Sequence, residues 1–400
     1  MFGIETYKRL LTGLTLSAAL MLGASCAKID NGERMEENIP VSFGTYGMRA
    51  TGTKADPTLY VDGTNITNIP SGGEMTVFGW YSDNGNWTSS LFPNFMYNQL
   101  VTNTAASNSD TPVFEYSPLK YWPNEYGSGA SSTGTDRLSF WAFYPRSVAG
   151  PQETLGDGSR AYDNTSAALK IYASDGTTAY SNATVGLPKV RFAVNADPKQ
   201  QVDLLFSRFG DDYEKNLTKQ PIGSKVNLRM RHALSLIEFQ VKLSDEMPAG
   251  ASVEVKNLTL KHVYDKGFCA DPTADEIVWS GQTNGTDIEL TNEILGSAES
   301  MLILMPQTLQ STAEVTMEYD IVFASADGSA DIRYAGNTAT ANITKKLDTD
   351  GVTVVNGILE WKAGKKYTYK IDAGLEYIRF SAQTEAAWTS QSGDIEIPKN

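Results

Sequence analysis

Short apolar runs, alternating or continuous, recur along nearly the whole chain, separated by spacers rich in Gly, Ser, Asn and Thr. In IPVSFGTYGM (39–48), Ile39, Val41 and Phe43 alternate with Pro40, Ser42 and Gly44, the period of a strand with one buried face. RATGTKADPT (49–58) follows as a small, polar loop. EMTVFGWYS (74–82), RLSFWAFYP (137–145) and QVDLLFS (201–207) are short and rich in β-branched and aromatic residues, which predicts strands. In KVNLRMRHALSLIEFQVKL, Val226, Leu228, Met230 and His232 alternate with polar residues, and the alternation resumes at Ile237, Phe239, Val241 and Leu243. SVEVKNLTLKHV (252–263), SMLILMP (300–306), AEVTMEYDIVF (313–323) and KKYTYKIDA (365–373) continue the pattern. Only NFMYNQLV (94–101) hints at a helix; the charge mixture DDYEKN (211–216) is too short for one. Short strands with long decorated spacers predict β-sandwiches, one over 39–225 and a second over 226–375, followed by a C-terminal segment, 376–400. The last apolar alternation, Ile395 and Ile397, lies in that segment.

The first 25 residues depart from this pattern. Lys8 and Arg9 precede an apolar run from Leu10 to Ala24, about 15 residues against the ~20 that span a bilayer, and small residues lead into Cys26. Positive start, apolar middle and small residues before the end are the parts of a secretory signal. Gly23, Ala24 and Ser25 ahead of Cys26 resemble a bacterial lipobox, in which the thiol takes a diacylglycerol and becomes the mature N-terminus; Leu22 stands four residues before the cysteine where three is usual. The plainer alternative is an ordinary signal with an incidental cysteine. Residues 26–38 are polar and read as a tether. A lipidated Cys26 leaves Cys269 without a partner, a small buried hydrophobe rather than a reactive thiol.

Charge and composition narrow the function. The 400 residues carry 33 Lys and Arg against 47 Asp and Glu, a net charge of −14. A chain this acidic, with no basic block, is not built for nucleic acid or an anionic membrane surface. The two histidines, His232 and His262, leave no third for a His-rich metal site, the two cysteines, Cys26 and Cys269, lie far apart without the paired spacing of a structural zinc site, and no cofactor motif is present. G-x-S-x-G, H-E-x-x-H, P-loop and G-x-G-x-x-G signatures are missing, so no enzymatic role is expected, although a carboxylate pair could serve a glycosidase. DTDGVTVVNGILE (348–360) starts like a calcium loop but loses the acidic spacing after Gly351, and reads as a turn between strands. His232, on an inward face, reads as a hydrogen-bonded core histidine rather than a ligand. Trp80, Trp87 and Trp122 read as packing residues, with sugar stacking as the alternative for the loop WYSDNGNWTSSLFPNFMYN (80–98).

In their order and spacing, the lipobox at Cys26, VSFGTYGMRA, YWP (121–123), SFWAFYP (139–145), DLLF (203–206), HALSLIEFQV (232–241), LILMPQ (302–307) and WKAGKKYTYKI (361–371) resemble the fimbrillin family of Bacteroidales pilus subunits. The resemblance covers nearly the whole chain after the signal. It implies an all-β protein of two transthyretin-like β-sandwich domains in tandem with a C-terminal extension, exported as an outer-membrane lipoprotein precursor and ending in a cell-surface fimbrium.

The resemblance also implies a route of assembly. A trypsin-like maturation protease cuts behind the first strand, the strand leaves with its lipid, and the C-terminal segment of another subunit fills the groove. Carried onto this sequence, Cys26 is the lipid site, Ile39, Val41 and Phe43 stand on the removable strand (39–48), and Arg49 is the cleavage residue, with Lys54 as a second choice. Trp388, Ile395 and Ile397 are the donor residues. Burial of each of the three strand residues is worth about 1.5–3 kcal/mol, so their loss leaves about 5–9 kcal/mol to a replacement. The expected partners are other pilus subunits, the protease, the outer membrane through lipid and a surface ligand. A lipid-retained anchor and a glycan- or protein-binding tip adhesin are the alternative positions in the fibre.

Overall fold

The computed structural model describes residues 38–47, 59–61, 64–66, 69–83, 85–107, 112–123, 135–292, 295, 301–325, 329–347, 354–375 and 378–385. Among them there is no α-helix, only strands and two single 3-10 turns, at Arg146–Val148 and Pro198–Gln200. The all-β class expected from the apolar pattern holds.

Four sheets carry the fold. The largest has seven strands in the order Phe43–Gly47, Val226–His232, Leu205–Ser207, Arg137–Tyr144, Glu74–Ser82, Met96–Asn103 and Phe114–Glu115. Its central strands are buried on both faces, which is why RLSFWAFY and EMTVFGWY read as continuous apolar runs. Met75, Val77, Leu138, Phe140 and Ala142 face one core, while Phe78, Trp80, Trp141 and Phe143 face another. The second core continues through Phe206, Leu236, Leu258 and Met317 to Ile371, so one apolar interior runs from the first block of the sequence into the second.

The other three sheets have four strands each. Leu169–Tyr172, Lys189–Ala193, Tyr264–Cys269 and Ser280–Asn284 form one, drawing strands from both sequence blocks. Met301–Leu304, Ser235–Leu243, Lys366–Ala373 and Ile378–Glu385 form the next, and Ile288–Thr291, Ala251–Lys261, Glu314–Phe323 and Ile332–Asn342 the last. The Val226–His232 strand, which the alternation groups with the second block, pairs inside the seven-stranded sheet.

The helix hint at NFMYNQLV is corrected: Met96–Asn103 is a strand. Met96 opposes Gly79 and Gln99 opposes Val77, so one extra residue is accommodated at a bulge, with Asn98 at φ +50°. The bulge lets Met96 and Val101, five residues apart, reach the same core, a spacing that a regular strand does not give. Lys345–Leu347, just before the calcium-like stretch, pairs antiparallel with Val354–Asn356 inside it, as a turn between strands requires. Cys269 is buried and burial pushes its thiol up to about 12. The half-buried His232 places Nδ1 2.9 Å from Oδ1 of the buried Asp203, a structural hydrogen bond.

Candidate functional site: the leading strand and its groove

The leading strand, Phe43–Gly47, lies at one edge of the seven-stranded sheet and runs parallel to Val226–His232, in register from Phe43 opposite Val226 to Gly47 opposite Met230. Val226 N–H donates to the Ser42 carbonyl at 2.8 Å. Just upstream the chain pairs in the other direction. Val41 N–H donates to the Lys120 carbonyl and Trp122 N–H to the Ile39 carbonyl, each at 2.9 Å. Residues 120–122 follow Phe114–Glu115, the strand at the opposite end of the sheet order. The segment 39–47 therefore joins the two ends of a curled sheet and closes the core inside it.

The alternation read from the sequence points into that core. Val41 and Phe43 are each 1% exposed, whereas Ile39 is half-buried. Phe43 meets Phe140 edge-on at 5.3 Å between ring centroids and Tyr116 at 5.7 Å. Val226, Leu228, Met230 and Trp122 complete the lining around these two side chains. Tyr116 Oη donates to the Val41 carbonyl at 2.8 Å and lies 3.2 Å from the Lys120 carbonyl, tying the two sides of the seam together. Burial holds the Tyr116 phenol above its ordinary pKa, so it stays a donor.

The neighbouring strand is fixed by a buried ion pair. Glu214, fully buried, accepts from Arg229 Nε at 2.8 Å, Arg229 Nη2 at 2.5 Å, the Arg229 backbone N–H at 2.9 Å and the Gly210 N–H at 3.2 Å. The guanidinium also lies over the Tyr213 ring, 4.0 Å from its centroid. This bidentate geometry satisfies a carboxylate that would otherwise be costly to bury. It comes from DDYEKN, a stretch whose sequence shows only mixed charge.

The terminal strand, Ile378–Glu385, lies in the segment expected to act as donor. It pairs antiparallel with Lys366–Ala373 over eight residues, as the last strand of its sheet. The start of that segment is thus docked on its own chain. Cys26, Arg49, Lys54, Trp388, Ile395 and Ile397 lie outside the described residues.

Trp80 and Trp87 of the aromatic loop, and Trp122, are packing residues. Trp80 and Trp122 are buried, and Trp87 packs edge-on against Trp80 and Phe209 at 6.3 and 5.0 Å. Among the described residues no group of three or more His, Cys, Asp or Glu is placed to hold a metal ion, and no helix is long and apolar enough to cross a membrane. Sequence reasoning missed Tyr116 and Glu214, because each is made important by a partner remote in the chain.

Comparison with known proteins completes the picture. Among solved structures, the chain is similar to a fimbrial protein from Bacteroides vulgatus, with a TM-score of 0.51 and 17% identity over 88% of this chain and all of that one. The tip fimbrial protein Mfa3 from Porphyromonas gingivalis matches with a TM-score of 0.32 and 9% identity over 87% of this chain and 99% of its own. No curated protein matches. The first of these likenesses supports the fold. The profile described as fimbrillin-like matches residues 50–386, most of the sequence, and the chain belongs to that family.

Proposed function

We propose that this protein is a structural, non-enzymatic subunit of a cell-surface pilus that supports adhesion and is assembled by strand exchange after proteolysis. The observation that carries the reading is the seam. One short segment, 39–47, closes the core of the seven-stranded sheet with two fully buried side chains and hydrogen bonds to both sheet ends. Its departure exposes an apolar groove and unpaired backbone groups on the 226–232 strand, a surface that an added strand satisfies. Val41 and Phe43 alone give about 3–6 kcal/mol of burial to recover. In this reading Cys26 carries lipid that holds the precursor at the outer membrane, and a trypsin-like protease cuts after Arg49. That bond lies two residues beyond the last residue of the leading strand. The terminal strand stays in its own sheet, and residues 386–400, with Trp388, Ile395 and Ile397, supply the donor strand to another subunit.

The test is assembly in vitro. Limited digestion of the purified precursor by a trypsin-like protease yields a chain beginning at Ala50 and a ladder of non-covalent oligomers. Arg49→Ala combined with Lys54→Ala keeps the precursor monomeric under the same digestion. Monomers after complete cleavage at Arg49 contradict the proposal.

A further inference from the structure

An open cleft of about 490 Å³ lies beside the seam and is bordered by residues 97–99 of the strand Met96–Asn103. Phe92 and Phe95 line it from the aromatic loop, Tyr97 from the strand Met96–Asn103, Lys120 from the seam, Arg160 from the strand Arg160–Tyr162 and Asn182 from a later turn. The size falls in the range of small-ligand sites. Its chemistry differs from that of the rest of the molecule. The chain carries a net charge of −14, yet none of the residues lining the cleft is Asp or Glu. Among the described residues, neither the Arg160 guanidinium nor the Lys120 ammonium has a carboxylate within ion-pair distance. Arg160 instead lies over the Tyr97 ring, 5.8 Å from its centroid. Arg146, behind the cleft, donates to the Asn98 carbonyl at 3.1 Å and side-chain Oδ1 at 2.8 Å, and adds a third positive charge.

The uncharged groups complete a recognisable set. Phe92 is 46% exposed, an aromatic face open to solvent. Asn182 Oδ1 accepts the Arg160 backbone N–H at 2.7 Å, which fixes the amide and leaves its NH₂ to donate. Gln99 Nε2 is occupied by the Leu100 and Ser117 carbonyls, leaving Oε1 to accept. Cations without carboxylate partners select an anion. An exposed aromatic face suits the C–H face of a pyranose, and fixed amides suit its hydroxyls. We propose that this cleft binds a carboxylate-bearing saccharide of the uronic-acid type, with Arg160 and Lys120 holding the carboxylate. The site does not depend on cleavage or strand exchange, and it gives a surface subunit a ligand of its own.

The test uses the purified full chain, followed by saturation-transfer NMR and titration, with a glucuronate-terminated disaccharide, its glucose-terminated counterpart and inorganic phosphate as probes. The expected result is binding of the glucuronate probe at about millimolar concentration or tighter, with the neutral probe at least about tenfold weaker. Arg160→Gln and Lys120→Gln each weaken the acidic probe by about tenfold to a hundredfold. Both substitutions should leave the melting temperature unchanged, because the Arg160 side chain is exposed and Lys120 meets the leading segment through its backbone carbonyl. Equal binding of the two sugars, phosphate binding as tightly as glucuronate, no binding up to about 10 mM, or full binding by both variants each overturns the proposal.

Discussion

The leading and terminal strands each lie at the edge of a sheet, and they are held in different ways. Phe43–Gly47 has a short ladder of five residue pairs to one neighbour, and its hold comes largely from Val41 and Phe43 sunk into a core that it closes. Ile378–Glu385 has an unbroken ladder of eight pairs along its neighbour. A strand fixed by two alternating side chains can be replaced by any extended segment that offers apolar groups at the same spacing. A strand with eight consecutive ladder pairs gives up its backbone bonds all together. Under the proposed assembly, the leading strand is the one replaced and the terminal strand belongs to the permanent frame.

The largest effect is expected from Glu214→Ala. It leaves Arg229 buried without its carboxylate on the strand that the leading strand pairs with, at a cost of about 3–5 kcal/mol in denaturant unfolding. The replacement should also speed hydrogen exchange at 43–47 more than at 378–385. Equal acceleration at both strands would remove the distinction between them.

Phe43→Ala should cost about 3–4 kcal/mol, as expected for a fully buried aromatic side chain. Thr384→Ala, at an exposed position of the terminal strand, should stay within about 0.5 kcal/mol. Similar losses at the two sites, measured by urea unfolding, would contradict an anchoring role for the Phe43 side chain. Tyr116→Phe removes one hydroxyl from the seam and should cost about 1 kcal/mol, with faster exchange of the Val41 amide as its local sign.

The smallest effect concerns three neighbouring strands of one sheet, 251–261, 314–323 and 332–342. Asp320 is held below the usual carboxylate range, first by the Gly336 N–H and then by Arg333. Glu254 is lowered by Arg333 and Lys256. With both pKa values depressed in the folded chain, the unfolded chain takes up protons first as the pH falls through about 4. Stability from these groups is present above that range and lost below it. The urea midpoint should therefore fall between about pH 6 and pH 3, and Asp320→Asn should flatten that dependence. A midpoint with the same slope in the variant would show that Asp320 does not contribute to it.

Much of this architecture is legible in the sequence, but selectively. The inward set Val41 and Phe43 follows from a period of two, and the doubly buried strands follow from unbroken apolar runs. Register does not, since Phe43 pairs in parallel with Val226 and Val41 bridges to Lys120, and neither partner is local. NFMYNQLV reads as helical because a bulge puts Met96 and Val101 on one face at a spacing foreign to strands. DDYEKN shows mixed charge but not that Glu214 would be fully buried against Arg229. The cleft is less legible still, because Lys120, Arg160 and Asn182 come from three separate stretches and only the fold brings them together.

The central claim is that the leading strand leaves the mature subunit. The most direct measurement is the N-terminus of the protein recovered from the cell surface, by mass spectrometry. A chain beginning at Ala50 is the expected result. A chain beginning at an acylated Cys26 would mean that 39–47 stays in its groove, which describes a lipid-held anchor and contradicts strand exchange.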